Sequence, residues 1–320
     1  MRHDRLTVKE AQGLKVLRRR IARAKIPSSV LDESINLATW NIREFGRRRR
    51  LNISVHFIAE ILNQFDLIAV TEVRDNLRDL GKVLKVLGPY WKAVFSDYDS
   101  DAGGNRERMA YVYDKRAVSF TGLAAEADGP RKKIKKTGEY VPEYSWWRKP
   151  YMASFRAGSF DFVLITAHIR WAGGEDERLK PISLLADWVH KRRKDKHVFD
   201  KDILLMGDFN IPSKDSKLYR ALTRRGLKMP EALMHVRGTN LSERNLYDQI
   251  VHSPMHRRLF TNNGGTLNFY ANDFKSLFPG VRKTDQEFTY ELSDHLPLWI
   301  QLNVDAESAE LSQLLRGKKK

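Results

Sequence analysis

An α+β sandwich, with sheets inside and helices outside, is what this sequence predicts, and three observations predict it. From Ile35 onward short apolar runs alternate with stretches of helical periodicity. The middle of the chain is crowded with strand-like runs that follow one another with little helix between them. Several apolar runs end in Gly, Asp, Asn, Glu or His, as strands do when their last residues face a polar cleft.

Taken in order, residues 1–33 are basic with scattered apolar positions (Leu6, Leu14, Val16, Leu17, Ile21) and end in "IPSS". They read as a basic N-terminal extension, a helix or frayed arm whose loss the rest of the chain tolerates. "INLATWNI", "SVHFIAEILNQF", "DLIAVTEV" and "DLGKVLKVLG" then read as strand, helix, strand, helix. "YWKAVFSDY", "RMAYVYDK", "AVSFTGLAA", "YMASFRAG" and "FDFVLITAHI" supply the strand-rich centre, and "PISLLADWVHKRR" a helix before the strand "DILLMGDFNI". Beyond Ala221 the strands are "LYDQIVHS" and "HLPLWIQLNV", with a polar Asn- and Gly-rich loop between them. Neither an internal repeat nor a low-complexity linker divides the chain. The expected organisation is an extension over 1–33, one catalytic domain over 34–305 and a basic tail over 306–320.

Composition narrows the chemistry. A length of 320 residues, 42% hydrophobic and 30% charged, describes a globular protein able to bury a sizeable core. The 57 basic residues outnumber the 40 acidic ones, and the resulting +17 favours an acidic partner such as nucleic acid or an anionic membrane surface. With no cysteine, disulfides, thiolate catalysis and cysteine-bound zinc are excluded, so any metal is held by oxygen or imidazole. The opening residues offer no apolar core for a signal peptide, which makes a cytoplasmic location the default expectation, and a secreted or periplasmic one the alternative if a leader was removed.

Basic clusters stand at 47–50 ("RRRR"), 131–136 ("RKKIKK"), 191–196 ("KRRKDK") and the terminal "RGKKK". The last two read as a solvated face and a tail. The first follows directly on a strand that ends in polar residues.

Those strand ends carry the functional signal. Asn41 ends "LATWN", Glu72 ends "LIAVTE", His168 ends "FVLITAH", Asp208 and Asn210 end "ILLMGDFN", and "LYD" and "SDH" bring Asp248, Asp294 and His295. Each alone is an ordinary turn former or rim residue. Together, beside buried strands where a lone charge is costly, they suggest one convergent cleft. Oxygen ligands from Asp, Glu and Asn suit hard cations such as magnesium, manganese or calcium. Two histidines near carboxylates suit a general acid and a general base, since a carboxylate fixes the imidazole tautomer and raises its pKa. Metal, acid, base and positive surroundings together describe hydrolysis of a phosphate ester.

In order along residues 35–302, "WNIREFG", "TEVRD", "RERMAYVYDK", "ITAHI", "LMGDFN", "YDQIV" and "SDHLP" resemble the motifs of the endonuclease/exonuclease/phosphatase superfamily, and within it the deoxyribonuclease I branch. The resemblance implies a four-layer fold, two mixed β-sheets packed face to face with helices outside, and a site at one edge of the sandwich. It implies that Glu72 is the principal metal carboxylate, with Asn41, Asp208 and Asp294 around a divalent cation, Mg²⁺ first and Mn²⁺ or Ca²⁺ as alternatives. Asn210 and Asp208 complete the phosphate pocket, Glu107 partners His168, and Asp248 partners His295. Arg43, Arg74 and Arg148 match arginines on the DNA backbone and minor groove.

The implied activity is a monomeric, largely nonspecific DNA endonuclease leaving 5′-phosphate and 3′-hydroxyl ends on double-stranded DNA. A phosphatase or phosphodiesterase acting on inositol phosphate, sphingomyelin or another small phosphoester is the alternative within the same superfamily, and a silent nucleic-acid-binding protein the alternative outside catalysis. Two departures stand out. Asn105 replaces a groove-contacting tyrosine, and "GGTLNFYANDF" lacks the disulfides that order the corresponding region in the family enzyme. The segment 126–150 is unusually basic and aromatic; Tyr144, Trp146 and Trp147 either cover a sheet edge or stack on bases.

Overall fold

In a computed structural model, residues 1–4, 6–98, 100, 103–171, 173–198, 200–254 and 259–305 are described, with 307, 311 and 315 beyond them. The terminal "RGKKK" and most of the expected 306–320 tail lie outside the described residues. The elements are α1 (Val8–Arg23), β1 (Ser34–Phe45), α2 (Asn52–Leu62), β2 (Leu67–Arg74), α3 (Arg78–Leu87), β3 (Trp91–Phe95), β4 (Glu107–Asp114), β5 (Ser119–Glu126), β6 (Arg131–Lys133), β7 (Tyr140–Pro142), β8 (Tyr151–Ala157), β9 (Phe160–His168), α4 (Glu175–Lys194), β10 (Ile203–Asp208), α5 (Lys217–Thr223), β11 (Asp248–His252), β12 (Phe260–Thr266), α6 (Asp285–Thr289) and β13 (Leu298–Asn303).

Two mixed sheets form the sandwich. One runs β12-β13-β1-β2-β4-β3, the other β11-β10-β9-β8-β5. Within them β1 is parallel to β2 and β9 to β10, while the remaining pairs are antiparallel. The side-chain alternation of β1 shows how the layers are built. Ile35 and Leu37 join Leu67, Tyr111, Phe155 and Ile165 in a core between the sheets. Ala38, Trp40 and Ile42 point the other way, to Leu17 of α1, Phe57 of α2 and Val83 of α3. Residues of α4 and α5, among them Leu185, Val189 and Leu218, pack on the second sheet. Covering both faces of each sheet explains why its strands read as nearly continuous apolar runs. The four layers expected from the resemblance are present.

Three features depart from the sequence reading or add to it. "FTNNGGT", expected as loop, forms β12 by backbone pairing with β13, with a register shift between Phe260 and Gly264. The basic stretch 131–136 opens a small hairpin, β6 with β7, whose residues are largely exposed. The N-terminal segment is a packed helix rather than a frayed arm: Thr7 and Glu10 form a reciprocal cap, and Leu14, Leu17 and Ile21 are buried. Its Arg20, also buried, donates to the carbonyls of Phe269 (3.1 Å), Tyr270 (2.7 Å) and Asp273 (2.7 Å). That anchor orders the "GGTLNFYANDF" region without a disulfide. Among the described residues no helix is long and apolar enough to cross a membrane.

Candidate active site

The site grows from the ends of β9, β10 and β11. In register, Asp208 lies opposite His168 on one side and Asp248 on the other, so three neighbouring strands bring three titratable residues to one level. Gly207 makes this possible. Its φ is +137°, and a Cβ there would lie 2.1 Å from the Ala167 carbonyl oxygen, so only glycine lets β10 approach β9 this closely. Asn210 then turns into the left-handed region (φ 53°), its backbone N–H donating to Asp208 Oδ1 at 2.9 Å and its side chain to the Ile169 carbonyl at 2.8 Å.

The opposite wall comes from the other sheet. The pairing of β1 with β2 shifts register between Asn41 and Phe45, and Glu44 and Glu72 take φ of 45° and 61°, a conformation that non-glycine residues keep only when their surroundings enforce it. The bend aims Glu72 into the cleft, where Oε2 accepts from the Glu44 N–H at 2.7 Å. Asn41 Nδ2 donates to Glu72 Oε1 at 2.9 Å and to Asp208 Oδ2 at 3.0 Å. The loop before β13 is tied down from both sides. Ser293 Oγ donates to the Asn41 carbonyl at 2.5 Å and accepts from His295 N at 2.9 Å, while Trp40 Nε1 donates to the His295 carbonyl at 2.9 Å.

Two imidazoles converge on one carboxylate oxygen. His168 Nε2 lies 3.6 Å and His295 Nε2 3.8 Å from Asp208 Oδ2. Each ring is backed by an acid: Glu107 Oε2 stands 2.9 Å from His168 Nδ1, and Asp248 Oδ2 2.7 Å from His295 Nδ1. A carboxylate behind Nδ1 favours the tautomer protonated there and leaves Nε2 facing the cleft.

Burial and pairing set the electrostatics. Burial opposes the charge of Glu107, but His168, Arg148 and Asn105 outweigh it and hold the carboxyl at about 2. Burial likewise opposes protonation of His295, yet Asp248 and Asp208 raise its pKa well above the ordinary histidine value. Asp248 and Glu72 are pushed up by burial, His295 and His168 respectively pulling against that shift. Glu72 is thus a carboxylate short of positive charge.

That shortage bears on a cation. Glu72, Asp208 and Asn41 offer hard oxygen donors from both walls, and Asn41 Oδ1 is buried with no protein partner, while its Nδ2 is spent on the two carboxylates. Such a donor set fits Mg²⁺, Mn²⁺ or Ca²⁺. Asp208, Asp248 and His295 also place one ligand atom each within 4.8 Å of one another.

The remaining expected residues have protein partners of their own. Arg74 and Arg148, expected on DNA, are bound to Glu107: Arg148 Nη2 reaches Oε1 at 2.9 Å and its Nε reaches Oε2 at 2.8 Å, and Arg74 Nη1 lies 3.2 Å from Oε1. Both are nearly buried. Asn105, which stands where a groove-contacting tyrosine was expected, donates to the same Oε1 at 2.7 Å and accepts from Arg74 at 3.2 Å. Asp294, expected at the cation, is partly exposed and pairs with Arg43 at 3.3 Å. Arg43 also donates to Thr289 Oγ1 (2.6 Å) and Tyr290 OH (3.1 Å) while its guanidinium lies 4.0 Å from the Tyr290 ring centre. Sequence reasoning passed over Ser293 and Tyr247, the latter with its ring 5.9 Å from that of His295. Tyr247 precedes Asp248 in "LYD", which was a signal at hand.

Comparison with known proteins identifies the family and the fold. Human deoxyribonuclease-1 is 25% identical over 307 residues, spanning 91% of this chain and 99% of its own. The horse enzyme is 29% identical over 182 residues, 55% of this chain and 61% of that one, so the chain spans about three fifths of that relative. Among solved structures, the human Nocturnin catalytic domain with a bound sulfate anion superimposes with a TM-score of 0.54 at 15% identity, covering 86% of this chain and 96% of that one. A mannosyl-6-phosphatase of Bacteroides thetaiotaomicron VPI-5482 does so with 0.55 at 18%, covering 84% and 99%. These two share the fold. The model of the Endonuclease/Exonuclease/phosphatase family matches residues 38–295, the span that runs from the strand bearing Asn41 to His295, and the chain belongs to that family.

Proposed function

We propose that this protein is a divalent-cation-dependent phosphodiesterase that cuts DNA with little sequence preference, leaving 5′-phosphate and 3′-hydroxyl ends. The observation that carries the reading is the convergence of His168 and His295, each backed by its own carboxylate, on Asp208 at 3.6 and 3.8 Å. One imidazole takes a proton at Nε2 from the attacking water while the other gives its Nε2 proton to the departing 3′-oxygen, so that a phosphorus–oxygen bond forms as another breaks and protons balance. Glu107 and Asp248 hold the rings and stabilise whichever is charged. Glu72, Asn41 and Asp208 would hold the divalent cation, which when bound would supply positive charge against the negative charge of the phosphodiester.

Arg74, Arg148 and Asn105 act in this scheme through Glu107, as positioning residues. Arg43 and the adjoining Arg48, both over the Tyr290 ring at 4.0 and 4.6 Å, keep the cleft edge positive for the DNA backbone. The net charge of +17 favours a polyanion over a small phosphoester.

Nicking of supercoiled plasmid tests this, with Mg²⁺, Mn²⁺, Ca²⁺ or EDTA, for the wild type and His168→Ala. The expected result is nicking that needs a cation and falls roughly 10²–10⁴-fold in the variant. Hydrolysis of inositol phosphates or sphingomyelin without plasmid nicking would overturn the DNA assignment. Undiminished nicking by His168→Ala would overturn the catalytic one.

A further inference from the structure

Two tryptophans linked to the site keep much of their surface exposed. Trp147 is 48% and Trp171 58% exposed, a costly placement for indoles on an otherwise charged surface. Both are held in place. The Arg170 guanidinium lies 5.0 Å from the Trp147 ring centre, and Arg178, nearly buried, lies 4.3 Å from that of Trp171. Gly103 packs so closely beneath Trp147 that a Cβ there would come 1.7 Å from the indole.

Each indole is linked to one histidine, Trp147 through a shared cavity and Trp171 through Tyr247. Trp147 lines a cavity with Arg148 and His168. Trp171 meets the Tyr247 ring edge-on at 5.5 Å, and Tyr247 lies 5.9 Å from His295. The neighbouring aromatics do other work: Trp146 is buried and donates to the Pro181 carbonyl at 3.2 Å, and Tyr144 packs on it edge-on at 5.8 Å. Of Tyr144, Trp146 and Trp147, which line that cavity together, Trp147 is the most exposed.

We propose that Trp147 and Trp171 stack on nucleobases flanking the scissile phosphodiester, so that the site takes single-stranded or splayed nucleic acid in preference to intact duplex. The inference rests on the phosphodiesterase reading and names its substrate class. Each indole keeps much of its surface exposed beside its arginine, and a base stacks on exposed indole regardless of its own identity. In a duplex the base faces are already covered by their neighbours, so each base delivered to an indole must first be unstacked. A strand that is already open supplies it without that cost. Arg170, exposed beside Trp147, also offers positive charge to a flanking phosphate of such a strand.

The test is binding of the full chain in EDTA to labelled oligothymidine, to the same backbone with abasic residues, and to a blunt duplex, alongside cleavage of each with Mg²⁺. The variants are Trp147→Ala, Trp171→Ala and the two Phe substitutions, with thermal unfolding as the fold control. The expected result is tighter binding and faster cutting of oligothymidine than of duplex. Each Ala variant should lose roughly 5- to 100-fold in affinity for oligothymidine, Phe restoring most of it, with little change for the abasic strand. Equal losses on the abasic strand, or equal wild-type affinity for abasic and base-bearing strands, overturn the stacking role. So does loss of binding to phosphatidylserine vesicles in the Ala variants while oligothymidine binding is kept. If the wild type binds oligothymidine as described yet cuts no nucleic acid, the stacking subsite stands and the phosphodiesterase reading falls.

Discussion

Asn41 of the six-stranded sheet donates its side-chain amide to Asp208 of the five-stranded sheet at 3.0 Å, joining the two halves of the sandwich at the floor of the cleft. The same amide holds Glu72 at 2.9 Å, so one neutral group separates two acids. Replacing it with alanine leaves those acids facing each other with no donor between them. Asn41→Ala should therefore unfold earlier without metal, by about 1–3 kcal/mol, and gain less from added Mg²⁺ than the wild type does. Phosphodiester cleavage should fall by roughly 10²-fold or more. Thermal unfolding with and without Mg²⁺, beside a cleavage assay, decides it; an unchanged midpoint and rate would mean the bridge serves neither stability nor catalysis.

Glu107 links acidity to stability. Its carboxyl is held at about 2 in the folded protein against an ordinary value of 4.5. For an acid whose folded pKa is depressed, the stabilisation is fully present above the unfolded value and is lost as pH falls through the folded one. The window is therefore pH 4.5 down to about 2. Glu107→Gln, which also leaves Arg74 and Arg148 without their counter-charge, should cost on the order of 3 kcal/mol at neutral pH. The gap between the two proteins should narrow across that acid window. Denaturant unfolding at a series of pH values measures it, and a gap that does not change with pH would mean that Glu107 is not charged in the native state.

How much of this was legible follows from what sequence does and does not encode. Asp208, His168 and Asp248 could be found because polar residues ending apolar strands are conspicuous, and the strand ends do meet. Their mutual register could not be read, since it depends on the pairing of β9, β10 and β11, distant segments whose alignment is a tertiary property. The same limit explains Arg74. It lies across from Glu107 in the β2–β4 pairing, and nothing local distinguishes an arginine bound to that acid from one offered to DNA. β12 was missed for another reason. "FTNNGGT" has loop composition, but an edge strand needs only backbone groups to pair, and β13 supplies them. The resemblance carried the partners of the two histidines, Glu107 and Asp248, but said nothing of what Asn105 holds in place of the tyrosine.

Gly207 gives a sharp backbone test. Alanine there meets a φ of +137° and an oxygen at 2.1 Å, so either Ala167 moves or β10 separates from β9. Gly207→Ala should cost roughly 2–5 kcal/mol from strain and overpacking together. Because Asp208 and His168 directly follow the two colliding residues, cleavage should fall further than the folded fraction does. Comparing kcat with the folded fraction from circular dichroism at the same temperature separates the two effects. A loss of activity that merely tracks unfolding would mean the site survives the shift.

The N-terminal helix should matter more than its basic composition suggests. Leu14, Leu17 and Ile21 are buried beneath it, and Arg20 satisfies carbonyls at Phe269, Tyr270 and Asp273 that have no disulfide to order them. Arg20→Ala leaves those carbonyls to find other donors in a tight site, at a cost of roughly 2–4 kcal/mol, and Leu17→Ala adds a cavity costing roughly 2–5 kcal/mol. Both residues lie outside the cleft, so kcat measured well below the unfolding temperature should be unchanged in either variant. Deleting residues 1–26 removes all of these contacts at once and should lower the unfolding midpoint by more than either substitution. A truncated protein that unfolds at the wild-type midpoint would show instead that α1 is an appended arm and that the 267–278 region is ordered by its own buried phenylalanines.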